Sequence, residues 1–219
     1  MNKEKKIIGI FVIIAVILVG GFITLFQFSS PKIYGNKGGS SGEVSRYVNR
    51  DIPMIDSNGS TRKLMDLKGK VWLISHVFTR CPGQCAGVCV VLDEIRKDVN
   101  DKENLQFVSV TLDPNHDTPD HLKAFSNKHG FVSDDWWFLT GESSELNSYM
   151  LEVFSLSAQE KKESEKVSED DIFAHKPMVA LINHELKIEG WYNPFDKRSS
   201  EALREKLIFA LNEAKSYEK

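Results

Sequence analysis

The sequence predicts a three-layer α/β fold carried behind an N-terminal transmembrane helix. Three observations predict it. Two continuous apolar, β-rich runs, Val71–Phe78 and Leu105–Leu112, read as strands buried on both faces of a sheet. Stretches with helical spacing of apolar residues come after each of them. Ahead of all this, Ile7 to Phe28 contains no charged residue.

The apolar N-terminal run comes first. Its 22 residues would reach about 33 Å as a helix, enough to cross a bilayer. Lys3, Lys5 and Lys6 precede it, so the positive-inside rule keeps residues 1–6 as a cytoplasmic stub and exports the rest of the chain. The run is longer than the usual apolar core of a signal peptide, and Phe26-Gln-Phe-Ser-Ser-Pro-Lys32 offers no small-x-small cleavage site. No cysteine lies near positions 20–30, so a lipid-modified anchor is not indicated. The expectation is a single-pass anchor at 7–28 in the cell membrane, with the soluble domain on the extracytoplasmic, periplasmic side. Residues 29–45, rich in glycine and serine, read as a flexible linker. The folded domain is expected over 46–219.

Within that domain Asn58-Gly59 signals a hairpin turn. The strand from Val71 ends at Thr79-Arg80-Cys81-Pro82, and Val88, Val91, Leu92 and Ile95 mark a helix over 83–99. The second strand leads into a loop and a helix from Pro119 to His129, with Thr118 placed as N-cap and proline in the first turn. Trp137-Phe-Leu-Thr-Gly141 reads as a short strand and Glu145–Phe154 as a helix. Residues 160–171, charged and without aromatics, read as a mobile loop or a solvated helix end. Met178–Asn183 and Leu186–Tyr192 form a hairpin, and Ser199–Lys215 an amphipathic closing helix. Strand, helix, strand, helix, hairpin, helix is the order of a thioredoxin-like fold.

Bulk composition removes several function classes. With 41% hydrophobic residues the domain can build a core without staples. The formal net charge of -3 offers no basic field, so nucleic acid is not an expected partner. All 3 cysteines fall between positions 81 and 89, which marks a site rather than a disulfide scaffold.

A buried strand delivering a Cys-Pro turn into a helix makes thiols reactive. Backbone N–H groups and the positive end of the helix dipole stabilise thiolate over thiol. Cys81 stands before the helix and Cys85 in its first turn, so both sulfurs can face one point. Their Cys-x-x-x-Cys spacing is one residue wider than Cys-x-x-Cys. It can still close as a disulfide, and it leaves room for an ion. Soft thiolates select Cu(I), and an added imidazole suits Cu(II) as well. Cys89, one turn deeper, reads as a small buried residue against the sheet; the alternative is a third thiol serving the pair.

Four motifs in order resemble the Sco/SenC family of copper chaperones. Phe78-Thr-Arg-Cys81-Pro-Gly-Gln-Cys85 is similar to the family's Cys-Pro-x-x-Cys loop. Ser109-Val-Thr-Leu-Asp113-Pro-Asn-His-Asp117-Thr-Pro119 is similar to its Asp-Pro-x-x-Asp-Thr-Pro stretch, and Trp137-Phe-Leu-Thr-Gly141 to its Trp-x-x-Leu-Thr-Gly. His175, ahead of Val179-Ala-Leu-Ile-Asn183, falls where the family places its copper-binding histidine. The resemblance implies Cys81, Cys85 and His175 as ligands of a copper ion, Cu(I) or Cu(II). It also implies a role in assembling the copper centre of cytochrome c oxidase, as metallochaperone, as thiol reductant, or both. The partner would be the copper-accepting subunit of a terminal oxidase or another exported thiol protein. This chain departs from the pattern at Ala86, where the family usually has proline, at the added Cys89, and at Ala174 and Lys176 beside the histidine.

The competing expectation is an exported thiol–disulfide oxidoreductase in which Cys81 and Cys85 are catalytic without metal. His175 separates the two, since thiol exchange has no evident need of a remote imidazole. Of the other polar candidates, His76 is expected to pack near the site, and Asp113 and Asp117 to hold the neighbouring loop by turn and cap hydrogen bonds. His116, His121, His129 and His184 are expected at the surface, and Met178 in the core. Pro177 is a candidate for a cis-proline opposite the cysteines.

Overall fold

The computed structural model describes residues 47–81 and 83–217. The expected anchor at 7–28 and linker at 29–45 lie outside the described residues. Among those described, no helix is long and apolar enough to cross a membrane.

Two strands whose every side chain is buried form the middle of the sheet: β3 (Val71–Val77) and β4 (Leu105–Thr111). They run parallel in a seven-pair register from Val71↔Leu105 to Val77↔Thr111. β5 (Trp136–Thr140) adds parallel to β4. The short hairpin of β1 (Met54–Asp56) and β2 (Thr61–Arg62), turned at Asn58-Gly59, lies antiparallel beyond β5. On the other side β8 (Val179–Ile182) and β9 (Ile188–Tyr192) complete an order β2-β1-β5-β4-β3-β8-β9. A parallel pair needs a crossover, and β3 reaches β4 through helix α1 (Gln84–Asp98).

Strand alternation divides the core into two layers. Val71, Leu73, Val77, Leu105 and Phe107 pack on one face against Val88, Leu92 and Ile95 of α1, against Leu122 and Phe125 of α2 (Pro119–His129), and against the closing helix α4 (Lys197–Tyr217). Trp72, Ile74, Val108 and Val110 pack on the other against α3 (Ser143–Phe154). Thr118 caps α2 by accepting from the His121 N–H, with Pro119 in its first turn. Three layers result, as the pattern implied.

Two expectations change. The charged stretch 160–171 is not a free loop. β6 (Ala158–Glu160) and β7 (Phe173–His175) pair antiparallel as a separate two-stranded ribbon that encloses a short 3₁₀ turn at Glu163–Glu165. Three-residue strands are too short to show a period of two, so the sequence concealed them. His184, expected at the surface, is buried at the β8–β9 turn with its ring 5.2 Å from that of Tyr217. The helix reaches back over the turn, a contact that no local pattern encodes.

Candidate metal centre

The mouth of the site is where β3 ends. Cys81 N–H donates to the Phe78 carbonyl, and Gly83 turns the chain into α1 with φ of 152°, a conformation that a side chain would strain. Cys85 in the first turn is fully buried; Cys81 is partly exposed. The Cys85 backbone N–H points at Cys81 Sγ, 3.4 Å away. His175 arrives from the ribbon, 90 residues on, and its Nε2 lies 3.3 Å from Cys85 Sγ. The ligand-capable atoms of Cys81, Cys85 and His175 all lie within 4.8 Å of one another. All three cysteines are free thiols.

Electrostatics distinguish the two thiols. Hydrogen bonding from the Cys85 thiol holds Cys81 well below the ordinary thiol range, helped by His175 and by the backbone N–H groups of Cys85 and Gly83, against the opposing effect of burial. The same contact pushes Cys85 up, and its burial adds to this. The pair therefore shares one proton, kept on the inner sulfur. His175 Nδ1 faces the Lys176 carbonyl at 3.3 Å, while its Nε2 is turned toward the sulfurs.

Around this triad the acidic motif does the structural work expected of it. Asp117, fully buried, accepts from the Thr79 hydroxyl and from the Thr79 N–H at 3.2 Å, and from the Thr111 hydroxyl at 2.6 Å. Arg80 bridges to Asp113 at 2.5 Å. The two residues immediately before Cys81 are thus clamped to the loop after β4. Asp113 and Asp117 do not join the triad.

His76 is buried beside the site, its ring 6.3 Å from that of His175 and its Nε2 3.2 Å from the Leu156 carbonyl. Burial pushes its pKa down to about 4, so it stays neutral. Cys89 lies wholly in the core against the sheet, where burial pushes its thiol up to about 12. His116 and His121 stack on each other at 4.5 Å and do not join the triad, and His129 packs on Phe125. Met178 is partly buried against the core. No peptide bond is cis among the described residues, so Pro177 is not a cis-proline.

A cavity of about 370 Å³ opens onto the triad, lined by Phe78, Cys81, Gln84, Lys161, Asp171 and Phe173 among others. Sequence reasoning missed Lys161, Asp171 and Phe173, because a dozen residues of mixed charge hide an ion pair as easily as they hide a loop. Phe173 packs edge-on against Phe78 at 5.3 Å and so docks the ribbon onto the cysteine turn.

Residues 43–210 match the family model described as SCO1/SenC. The chain belongs to the SCO1/SenC family. A relative described as "SCO1 protein homolog" in Bacillus subtilis is 28% identical over 140 residues, covering 63% of this chain and 69% of that protein. The structure described as Bradyrhizobium japonicum ScoI with copper bound superposes with a TM-score of 0.61 at 21% identity, covering 74% of this chain and 98% of that one. BsSco, described as having a disulfide switch and as a member of the Sco family of cytochrome c oxidase assembly proteins, superposes at 0.63 and 24% identity, over 77% of this chain and 95% of that one. These likenesses make the fold the mixed α/β, thioredoxin-like fold of Sco proteins.

Proposed function

We propose that the protein binds a copper ion through Cys81, Cys85 and His175 and serves the assembly of a terminal oxidase's copper centre from an N-terminal membrane anchor. One observation carries the reading: an imidazole from a distant ribbon turns its Nε2 to within 3.3 Å of the inner sulfur of a dithiol. A dithiol alone would serve thiol exchange. Two soft sulfurs and one imidazole nitrogen suit either oxidation state of copper, and a copper-bound structure of a Sco protein supports the choice of metal. The copper would be the cargo itself; the protein's residues supply three donors, a thiolate ready at neutral pH, and a partly exposed sulfur through which an acceptor can approach. The charge-free run at 7–28 with its preceding lysines supports an anchor whose folded domain faces the extracytoplasmic side.

A second reading is favoured by the asymmetry of the thiols. An outer thiolate and an inner thiol suit disulfide reduction: Cys81 sulfur attacks a partner's disulfide, releasing one partner thiolate and forming a mixed disulfide. Cys85 then passes its proton to the released partner thiolate and its sulfur attacks Cys81 Sγ, breaking the mixed disulfide and displacing the second partner thiolate. This leaves a Cys81–Cys85 disulfide and a reduced partner. BsSco's described disulfide switch supports keeping this chemistry in view.

The test is to load the reduced full-length protein, in detergent, with one equivalent of copper beside His175→Ala. The copper reading expects one ion per chain and a Cu(II) thiolate absorption that His175→Ala abolishes. No retained copper, with disulfide reduction indifferent to His175→Ala, would sink it in favour of the metal-free reading.

A further inference from the structure

We propose that Lys161 and Asp171 are positioning residues for His175, their ion pair clasping the ribbon that presents the imidazole to Cys85. The ribbon cannot hold itself. Its register has three pairs, Ala158↔His175, Gln159↔Ala174 and Glu160↔Phe173, and no third strand joins it among the described residues. An isolated two-stranded hairpin is at best marginally stable in water. His175 is the last residue of the ribbon, so any freedom in the ribbon becomes freedom of Nε2 relative to Cys85 Sγ.

Phe173 docks the ribbon on Phe78, and a second restraint comes from the end of the ribbon remote from His175. The Lys161 N–H donates to the Ile172 carbonyl at 2.7 Å and carries the ladder one step further. Lys161 Nζ then donates to both oxygens of Asp171, each at 2.7 Å. Asp171 is only 7% exposed, so its carboxylate is no solvated surface acid. Asp171 also accepts from the Val167 N–H at 3.1 Å, and its own N–H donates to the Ser168 carbonyl at 3.1 Å. One carboxylate thus closes the excursion that leaves the ribbon at Lys161 and returns at Asp171. Exposed ion pairs rarely matter, but a two-oxygen contact on a buried acid differs, because removing the lysine leaves a charge without its partner.

The clasp also faces the site. Lys161 and Asp171 line the same cavity as Cys81 and His175. Arg80, next to Cys81, reaches Asp170 at 3.7 Å as well as Asp113 at 2.5 Å, so the excursion leans on the cysteine turn. The consequence for metal uptake rests on the copper reading above; the clasp itself does not. Groups that orient a ligand typically change metal affinity about 10–100-fold when removed.

The experiment compares the full-length protein in detergent with Lys161→Met, Asp171→Asn and the conservative Lys161→Arg. Without metal, amide hydrogen exchange over 158–175 and the C2–H resonance of His175 are measured; Cu(II) affinity and absorption are measured next. The expected result for Lys161→Met and Asp171→Asn is ribbon exchange about tenfold faster with β3 and β4 amides unchanged. A moved His175 resonance and Cu(II) binding weakened about tenfold should accompany it, whereas Lys161→Arg should keep all three as in the wild-type protein. Unchanged ribbon exchange and an unmoved His175 resonance in both variants would overturn the proposal. So would a loosened ribbon with full copper affinity. If the wild-type protein takes up no copper, the proposed function fails, and the clasp is judged on exchange and resonance alone.

Discussion

The two halves of the candidate metal centre are built on unlike supports. The thiols stand at the end of β3, whose seven residues are all buried and paired along their full length with β4. The imidazole stands on a ribbon of three residue pairs outside the main sheet, partly or fully exposed along both strands. The dithiol therefore moves only with the fold, whereas the histidine can move without it. Elements with few buried contacts open at little free energy cost, and binding parts are drawn from that end of the stability range. Under the copper reading proposed above, this division would give two ligands on a fixed support and a third on a separate one.

The largest effect should come from the rigid half. Phe107→Ala, in the fully buried centre of β4, is expected to cost about 3–5 kcal/mol, read from denaturant unfolding. Native circular dichroism and the distinct reactivity of the two thiols should be lost together, since the thiol support has no independent stability.

Next comes His76, which sits on the rigid strand against His175. In the unfolded chain it takes a proton near 6.5, but in the folded protein only near about 4. Between those values the unfolded state binds more protons, so stability falls as pH drops from 6.5 toward 4 and the loss levels off below. The loss is of order 3 kcal/mol at most. His76→Phe should flatten that slope in unfolding curves measured from about pH 7 to pH 4; an unchanged slope would assign the pH response to other groups.

Smaller still is Phe173→Ala, which removes the ring that docks the ribbon on Phe78. We expect roughly 1–2 kcal/mol, appearing as local opening rather than a lower global midpoint. Limited proteolysis within 160–172 should accelerate while the main transition hardly moves. A matching drop in the global midpoint would show the ribbon to be part of the cooperative core. The least effect is expected of Arg50→Ala, which breaks an exposed pair with Glu152 at 3.1 Å and should change stability by under about 0.5 kcal/mol.

Legibility in the sequence divides along the same line. The buried strands, the helix after Cys81 and the capped helix at Pro119 showed themselves in runs of seven or more residues, long enough for periodicity to register. Asp113 and Asp117 were legible as loop-holding groups because turn and cap chemistry is local. The ribbon, the Lys161–Asp171 pair and the burial of His184 were not, because each depends on residues brought together from outside any short window.

The placing of Cys81 between buried strand and helix was determined by the sequence alone, since strand and helix signals lie close together along the chain. The sequence also kept Cys81 and Cys85 close, as the first turn of a helix leaves them little choice. Only the tertiary structure decided that His175 Nε2 faces Cys85 Sγ, that Cys81 rather than Cys85 carries the thiolate, and that Cys89 is core. Those outcomes depend on burial and on contacts across 90 residues, and both exist only once the sheet has closed over its helices.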